Sequence, residues 1–232
     1  MGKNLSALEK GLGFKFKNKD LLKTAFIHRS YLNEHPNEKL PNNERLEFLG
    51  DAVLGLVVSE HLYQSYPDHP EGDLTNFRSS LVNAKALSKV AQSLNLGEYL
   101  YLSRGEEATG GRNRQYILAN TFEALVGAIF LDRGLQISKK VIETNLLIFL
   151  AEIIEKKLYK DFKSLLQEKS QEKLSLTPTY KLIEERGPDH AKVFKIGVLI
   201  GNRKISEGAG NSKQAAEQEA AKQALEKWSD IN

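Results

Sequence analysis

The chain has 232 residues, a net charge of only +3 at neutral pH and no cysteine. The lack of cysteine excludes disulfides and cysteine-ligated zinc, and no apolar run approaches the ~20 residues that a membrane-spanning helix needs. Hydrophobic residues make up 41% of the chain, enough for real cores, and the length favours two domains. With no secretion signal, we expect a cytoplasmic protein with no membrane partner, whose nucleic-acid surfaces would need local clusters of positive charge.

The first two thirds of the chain carry almost exclusively helical signals. The turn residues at 67–70 separate two helices, and the segment 104–114, rich in Gly, Arg and Glu, is either a plain connector or a loop whose arginines could meet phosphate. We therefore expect an all-α domain over residues 1–155, followed by a short charged linker at 156–159. The predicted helices cover residues 5–12, 20–26, from 43 to 58, from about 74, 85–94, 117–131 and 138–157.

The helix that begins near residue 43 has an acidic stripe. Glu44, Glu47 and Asp51 fall within about 60° of one helical face, while residues 52–58 are apolar nearly all round, as in a helix packed inside a domain. Negative charge crowded beside a dry core is costly unless a cation or an arginine offsets it, so a hard divalent metal is the first candidate. The alternative is the solvated edge of an amphipathic helix.

A second strongly apolar helix carries oxygen ligands of its own. Asn120 and Glu123 stand at i and i+3 on one side, and Ala124, Gly127 and Ala128 are small enough to let a neighbouring helix come close. Two such helices facing each other could complete an all-oxygen coordination shell that neither could form alone.

Beyond residue 160 the period of the pattern changes. A helix at 161–172 precedes strands at 179–185, 193–200 and 203–207, and alanines form a packing seam on the final helix, 212–228. We therefore expect an α+β module, α-β-β-β-α in order, over residues 160–232.

Two turns in this module have specific chemistry. Gly201 and Asn202 predict the hairpin turn between the second and third strands. Ser212 is the expected N-cap of the final helix, whose free N–H groups and positive dipole end, together with Lys213, favour a phosphate.

The motifs on these elements resemble one known family. NERLEFLGDAVL at 43–54, preceded by AFIHRSY at 25–31 and followed by EGDL at 71–74 and LANTFEALVG at 118–127, is similar in order and spacing to the catalytic domain of bacterial ribonuclease III. The C-terminal part resembles that family's double-stranded-RNA-binding domain, so the resemblance covers essentially the whole chain.

The resemblance implies an endoribonuclease that hydrolyses phosphodiesters of double-stranded RNA as a homodimer and leaves 5′-phosphate and 3′-hydroxyl ends. It implies Mg²⁺ as cofactor, with Mn²⁺ expected to substitute, no small-molecule cofactor, and rRNA and mRNA precursors as substrates. Carried over position by position, the metal ligands are Glu47, Asp51, Asn120 and Glu123, the catalytic acids are Asp51, Glu123, Glu44 and Glu71, the dimer contact is Phe48, and the RNA contacts are Ser164, Gln167, Glu168, Gln171, His190, Ser212 and Lys213.

Two positions depart from the family pattern. Asn120 stands where the family usually has aspartate, and an amide oxygen can ligate Mg²⁺ but carries no charge. We expect weaker metal binding with retained activity, Asn120 being either a natural variant compensated nearby or a substitution that stalls cleavage. Gln214 replaces a second basic residue, which should soften phosphate affinity.

Several alternatives stay open. The chain could bind duplex RNA without cutting it, which Asn120 supports, or act as a metal phosphatase on small substrates, which the RNA-binding module disfavours. Phe48 could be a core residue within one subunit, and the polar residues assigned to RNA contact could simply be solvated.

Overall fold

The computed structural model describes residues 4–155, 159, 161–188 and 191–228, and the chain divides into two compact units, Met1–Tyr159 and Lys160–Asn232. The predicted linker at 156–159 lies, apart from Tyr159, outside the described residues. In the described part no helix is both long and apolar enough to cross a bilayer. The α-helices of the first unit are α1 Ser6–Leu12, α2 Lys19–Thr24, α3 Arg29–Glu34, α4 Glu44–Ser65, α5 Glu71–Leu81, α6 Ala84–Ser93, α7 Arg104–Ala108, α8 Gln115–Arg133, α9 Leu135–Asn145 and α10 Leu150–Glu155.

Helices α4 and α8 form the central pair of this unit, because both are apolar on most of their circumference and bury Leu54 and Phe122 completely. Their backbones touch at two glycines. A Cβ on Gly50 would lie under 3.0 Å from the carbonyl oxygen of Glu123, and one on Gly127 would lie equally close to the carbonyl oxygen of Leu46. The small residue at 127 was predicted to permit this approach, whereas the matching role of Gly50 was not.

Local capping accounts for most differences from the predicted helices. Helix α5 begins at Glu71, earlier than the predicted start near Leu74, because acidic residues in its first turn suit the helix N-terminus. Helix α7 lies inside the predicted connector because the Ser103 side chain accepts the N–H of Glu106 as an N-cap. Helix α3 was not predicted, and it is capped in the same way by His28.

The predicted helix at 138–157 is interrupted. Helix α9 ends at Asn145, whose side-chain amide donates to the carbonyl of Val141, and a 3₁₀ turn at Leu147–Phe149 separates it from α10. Such a turn lets the chain redirect while Leu146 and Leu150 both stay buried in the core. Residues 156 and 157 of the predicted helix lie outside the described residues.

The second unit has the predicted α-β-β-β-α order. Its sheet is antiparallel in the order β1-β2-β3, and the turn between β2 and β3 lies at Gly201 and Asn202, with Gly201 in the left-handed region at φ 61°. The core is formed by Leu166, Val198 and the buried alanines of the last helix. The elements are α11 Phe162–Leu174, β1 Thr179–Arg186, β2 Val193–Ile200, β3 Arg203–Gly210 and α12 Lys213–Glu226.

Candidate metal centre and nucleic-acid interface

Where α4 packs on α8, the four predicted metal ligands lie near enough to affect one another through charge or hydrogen bonding. On α4, Glu47 and Asp51 face the helix seam, and on α8 Asn120 and Glu123 face it from the other side. Glu123 experiences the charges of Glu47 and Asp51, and Glu47 experiences the charge of Asp51 and a hydrogen bond from the Asn120 amide. The two glycine contacts between the helices therefore determine which acids meet.

The negative charges at this seam shift the protonation of two carboxyl groups. Burial, followed by repulsion from Glu47 and Asp51, raises the pKa of Glu123 to about 7. Burial, followed by repulsion from Glu44, also raises the pKa of Glu47, and the Asn120 amide partly opposes that rise. Among the described residues, the charges that affect the pKa of Glu123 are those of two acids, Glu47 and Asp51. No basic side chain of the described residues offsets the negative charge around Glu123.

The donor chemistry fits a hard divalent cation, since carboxylate and amide oxygens are its preferred ligands. Within the part of the chain that the structure describes, however, no three His, Cys, Asp or Glu side chains lie close enough together to form a metal cluster. Mutual repulsion between ionised carboxylates favours such separation, and Asn120 contributes an amide in place of a further acid. The oxygen donors of α4 and α8 therefore lie farther apart than the ligands of a closed coordination shell.

A cavity of about 500 Å³ opens beside this seam. Of Glu44 and Glu71, the two predicted catalytic acids that are not predicted metal ligands, only Glu44 lines it. Glu44, Glu47 and Asn120 line it, and Arg29 stands 3.9 Å from the Glu44 carboxylate. Glu71 does not line this cavity. It lies at the start of α5, where its carboxylate accepts a hydrogen bond from the Thr75 hydroxyl.

His28 also lines this cavity, a position for which the sequence suggested no role beyond its place in a matching motif. Its Nδ1 accepts the N–H of Ser30 at 3.3 Å and lies 2.8 Å from the Ser30 hydroxyl, which accepts the N–H of Ser103. Because Nδ1 is an acceptor, the neutral ring carries its proton on Nε2. Burial lowers the pKa of His28, so the ring is a neutral hydrogen-bond donor at neutral pH.

Phe48 is exposed over 81% of its surface, which excludes a core position within the subunit. It borders a cavity of about 770 Å³ lined mainly by apolar side chains, including Leu21, Leu40, Leu49 and Leu131. An exposed aromatic ring beside an apolar depression on the same surface marks an interaction site.

The predicted RNA contacts of the second unit lie on the exposed faces of α11 and at the start of α12. Ser164, Gln167, Glu168 and Gln171 are all exposed and share one helical face by their spacing. The Ser212 side chain accepts the N–H of Ala215, which confirms the predicted N-cap.

Lys213 and His190 are the two remaining predicted RNA contacts. Lys213 follows the cap, with its Nζ 5.9 Å from the centre of the Phe194 ring. His190 lies outside the described residues.

Comparisons with known proteins match both units. Residues 18–150 match the family model described as ribonuclease-III-like, and residues 162–228 match the double-stranded RNA binding motif. Ribonuclease 3 of Borreliella afzelii is 46% identical over 228 residues, which cover 98% of this chain and 93% of that protein. Ribonuclease 3 of Nitratiruptor sp. is 48% identical over 228 residues, covering 96% of each.

Solved structures give the same result for the helical unit. The nuclease domain of ribonuclease III from Campylobacter jejuni has a TM-score of 0.58 at 43% identity, covering 63% of this chain and 95% of that chain. A second structure of that nuclease domain, reported for flexibility in a region involved in dimer formation, has a TM-score of 0.56 at 44% identity, covering 61% and 98%.

Proposed function

Because this chain belongs to the ribonuclease III family and is an endoribonuclease of that type, we propose that it hydrolyses phosphodiesters of double-stranded RNA as a Mg²⁺-dependent homodimer. The products would carry 5′-phosphate and 3′-hydroxyl ends, and precursors of rRNA and mRNA are the proposed substrates. The observation that carries the proposal is the uncompensated negative charge where Glu47 and Asp51 meet Glu123 across the glycine contacts of α4 and α8.

Mg²⁺, or Mn²⁺ in its place, would be held by Glu47, Asp51, Asn120 and Glu123, where it would neutralise phosphoryl charge and acidify an attacking water. Glu123 holds a proton up to about pH 7, so cation binding there competes with protonation.

The adjoining cavity has groups suited to a phosphate of the cut strand. His28 donates from Nε2, and Arg29 supplies positive charge next to Glu44. These two residues would orient the strand beside the acids, and Glu44 would hold Arg29 in place. Glu71, at the start of α5 outside this cavity, is proposed as the remaining catalytic acid.

The proposed dimer places the Phe48 ring of each subunit in the apolar depression of the other. The exposure of Phe48 and the size of the depression support this, as does the dimer formation reported for the Campylobacter jejuni nuclease domain. A contact in which each subunit supplies both ring and depression is self-complementary, as two-fold symmetry requires. Such a dimer provides one set of acids for each strand of a duplex.

The second unit would supply affinity and the choice of RNA over DNA. The α11 face with Ser164, Gln167, Glu168 and Gln171 suits the wide minor groove of A-form RNA, which displays 2′-hydroxyls. Lys213 and the free N–H groups behind Ser212 suit a backbone phosphate.

A second candidate function is duplex-RNA binding without cleavage, because Asn120 supplies no negative charge. The two are separated by incubating the purified chain with long duplex RNA and Mg²⁺, alongside an Asn120→Asp variant. Product from the chain as it stands rejects the binding-only function. Product from Asn120→Asp alone supports it and rejects the proposed activity.

The ligand assignment has its own test. Glu123→Ala should abolish cleavage and leave duplex-RNA binding intact, because the substitution removes the carboxylate on which the charges of Glu47 and Asp51 act. The matched control is Glu60→Ala, which removes an exposed acid of the neighbouring helix α4 that pairs with Lys139. Cleavage by Glu123→Ala at the rate of the parent chain would reject the assignment.

A further inference from the structure

A cavity of about 280 Å³ in the second unit lies between the start of α11, the start of β1 and the first turns of α12. Its walls include Gln167, Tyr180 and Gln214, together with Asp161, Lys163 and Gln218. The volume is several times the ~30 Å³ share of a water molecule, so a sugar ring fits. Gln167 belongs to the exposed face of α11, and Gln214 directly follows Lys213, so the cavity opens onto the proposed RNA surface.

The hydroxyl of Tyr180 lies buried at this cavity without a hydrogen-bond partner. Within the described residues it is the only buried side-chain nitrogen or oxygen in that condition. Buried polar groups nearly always have a partner, so an unpaired one needs an explanation. The pKa of Tyr180 is raised to about 12, first by burial, so the group remains a neutral hydroxyl that can both donate and accept.

The charged groups around the cavity already have hydrogen-bond or ion-pair partners. Lys163 pairs with Glu217 at 2.5 Å, and Asp161 accepts hydrogen bonds from the Gln218 amide at 2.8 Å and the Ser164 hydroxyl at 2.9 Å. A phosphate or a metal ion would have to break these pairs.

Three uncharged groups of the cavity, in contrast, have no partner among the described residues. Besides the Tyr180 hydroxyl, these are the carboxamides of Gln167 and Gln214, neither of which forms a side-chain hydrogen bond within the described part of the chain. A phenol and two carboxamides form a neutral set of donors and acceptors, which matches a hydroxyl group rather than an anion. A lysine or arginine at 214 would change the cavity into a phosphate site.

We propose that this cavity takes a ribose of the bound RNA duplex, whose 2′-hydroxyl exchanges hydrogen bonds with the Tyr180 hydroxyl and the amides of Gln167 and Gln214. The inference rests on the proposed binding of duplex RNA and deepens it, because it names the groups that distinguish RNA from DNA. Gln214 then acts as a specificity-determining residue through its lack of charge.

The experiment measures fluorescence anisotropy with the full chain in EDTA, so that the RNA stays intact. One probe is an RNA duplex, and the other is the same duplex with 2′-fluoro sugars, which keeps the A-form and removes the hydroxyl. Tyr180→Phe and Gln214→Ala should each weaken binding to the RNA duplex about five-fold, the typical effect of one hydrogen bond. Neither should change binding to the 2′-fluoro duplex, so discrimination between the two probes falls by the same factor.

Salt dependence separates a sugar contact from a phosphate contact. Neutral contacts release no counterions, so Tyr180→Phe and Gln214→Ala should leave the salt slope unchanged. Lys213→Ala should weaken binding to both probes and reduce the slope by about one. Equal weakening of binding to both probes by Gln214→Ala would overturn the ribose assignment in favour of a phosphate contact, because both probes carry the phosphate.

Controls keep the outcomes distinct. The melting temperature of Tyr180→Phe should not fall, because the variant loses only an unpaired hydroxyl, and Tyr63→Phe removes an exposed hydroxyl of the helical unit as the matched control. Unchanged discrimination in both Tyr180→Phe and Gln214→Ala would overturn the ribose pocket alone. Failure of the parent chain to bind either duplex would instead overturn the proposed function.

Discussion

Glu123 in the helical unit and Glu207 in the sheet-bearing unit are the same residue type in contrasting surroundings. Glu123 is partly buried beside Glu47 and Asp51, and its pKa is raised to about 7. Glu207 lies on β3 between Lys195 at 2.5 Å and Lys204 at 2.7 Å, and these lysines lower its pKa to about 2. The lysines around Glu207 neutralise its charge and so stabilise the surface of the sheet. The charge around Glu123 has no such partner among the described residues, so a cation from solution can bind there.

Both units nevertheless depend on close backbone contact at glycine residues. In the helical unit Gly50 and Gly127 seat α4 on α8. In the second unit Gly208 and Gly210 of β3 lie against the backbone of α12. Such contacts therefore position the acids in one unit and, in the other, the helix that begins at Ser212 and Lys213, and substitutions at these glycines should break each proposed function separately.

The largest effect is expected from Gly50→Ala. The new Cβ would overlap the carbonyl of Glu123, force α4 and α8 apart, lower the free energy of unfolding by about 3 kcal/mol and abolish cleavage. Chemical denaturation and the cleavage assay measure both effects. Gly55→Ala on the same helix meets nothing within 4 Å and should instead add about 0.5 to 1 kcal/mol. Equal stability of the two variants would disprove the backbone contact.

Gly208→Ala should damage the second unit in the corresponding way. Its Cβ would lie under 3.0 Å from backbone atoms of Ala216 and Ala220, so we expect a loss of about 2 kcal/mol and weaker duplex-RNA binding. The matched control is Gly197→Ala on β2, whose Cβ meets the flexible end of Ile183 at 3.0 Å. Denaturation and RNA titration of both variants test this, and equal loss in the control would contradict it.

Glu123→Gln should change how stability depends on pH. The folded chain holds the Glu123 proton up to about pH 7, while the unfolded chain releases it near the ordinary value of 4.5. Between these values the folded chain binds more protons, so the free energy of unfolding falls as pH rises. Without divalent cations, the Gln variant should exceed the parent chain at pH 8 by on the order of 1 kcal/mol, after allowance for solvent screening.

Urea denaturation at pH 4.5 and pH 8 measures this difference, with Glu60→Gln on α4 as the control at an exposed acid. The advantage of Glu123→Gln should vanish at the lower pH, where the carboxyl is protonated in the folded chain. A difference that is the same at both values would show that Glu123 has an ordinary pKa.

The smallest effect is expected from Glu207→Gln. Its stabilising pairs persist above the ordinary carboxyl pKa and are lost only as pH falls from there towards about 2. Because the group is only partly buried, at the surface of the sheet, solvent screens its ion pairs and the melting temperature at neutral pH should hardly change. A large fall in melting temperature at pH 7 would mean that this paired carboxylate has more than a surface role.

Long helices and alternating strands could be predicted because their patterns repeat over many residues, as in α8 and β2. The short helices α3 and α7 depend on single caps, His28 and Ser103, for which the chain has no repeating signal. The contact partner of Gly50 and the unpaired hydroxyl of Tyr180 arise only from tertiary packing. The candidate site residues could therefore be proposed from the resemblance and from their type and spacing, but their protonation and their neighbours could not.

The exposed ring of Phe48 follows directly after Glu47 along α4. Under the proposed dimer, one helical turn then serves both subunit association and metal ligation, so the two equilibria are linked. Diluting the protein should weaken its hold on magnesium, and adding magnesium should shift monomers towards pairs. Enzyme concentration would thereby control how much of the protein is competent to cut.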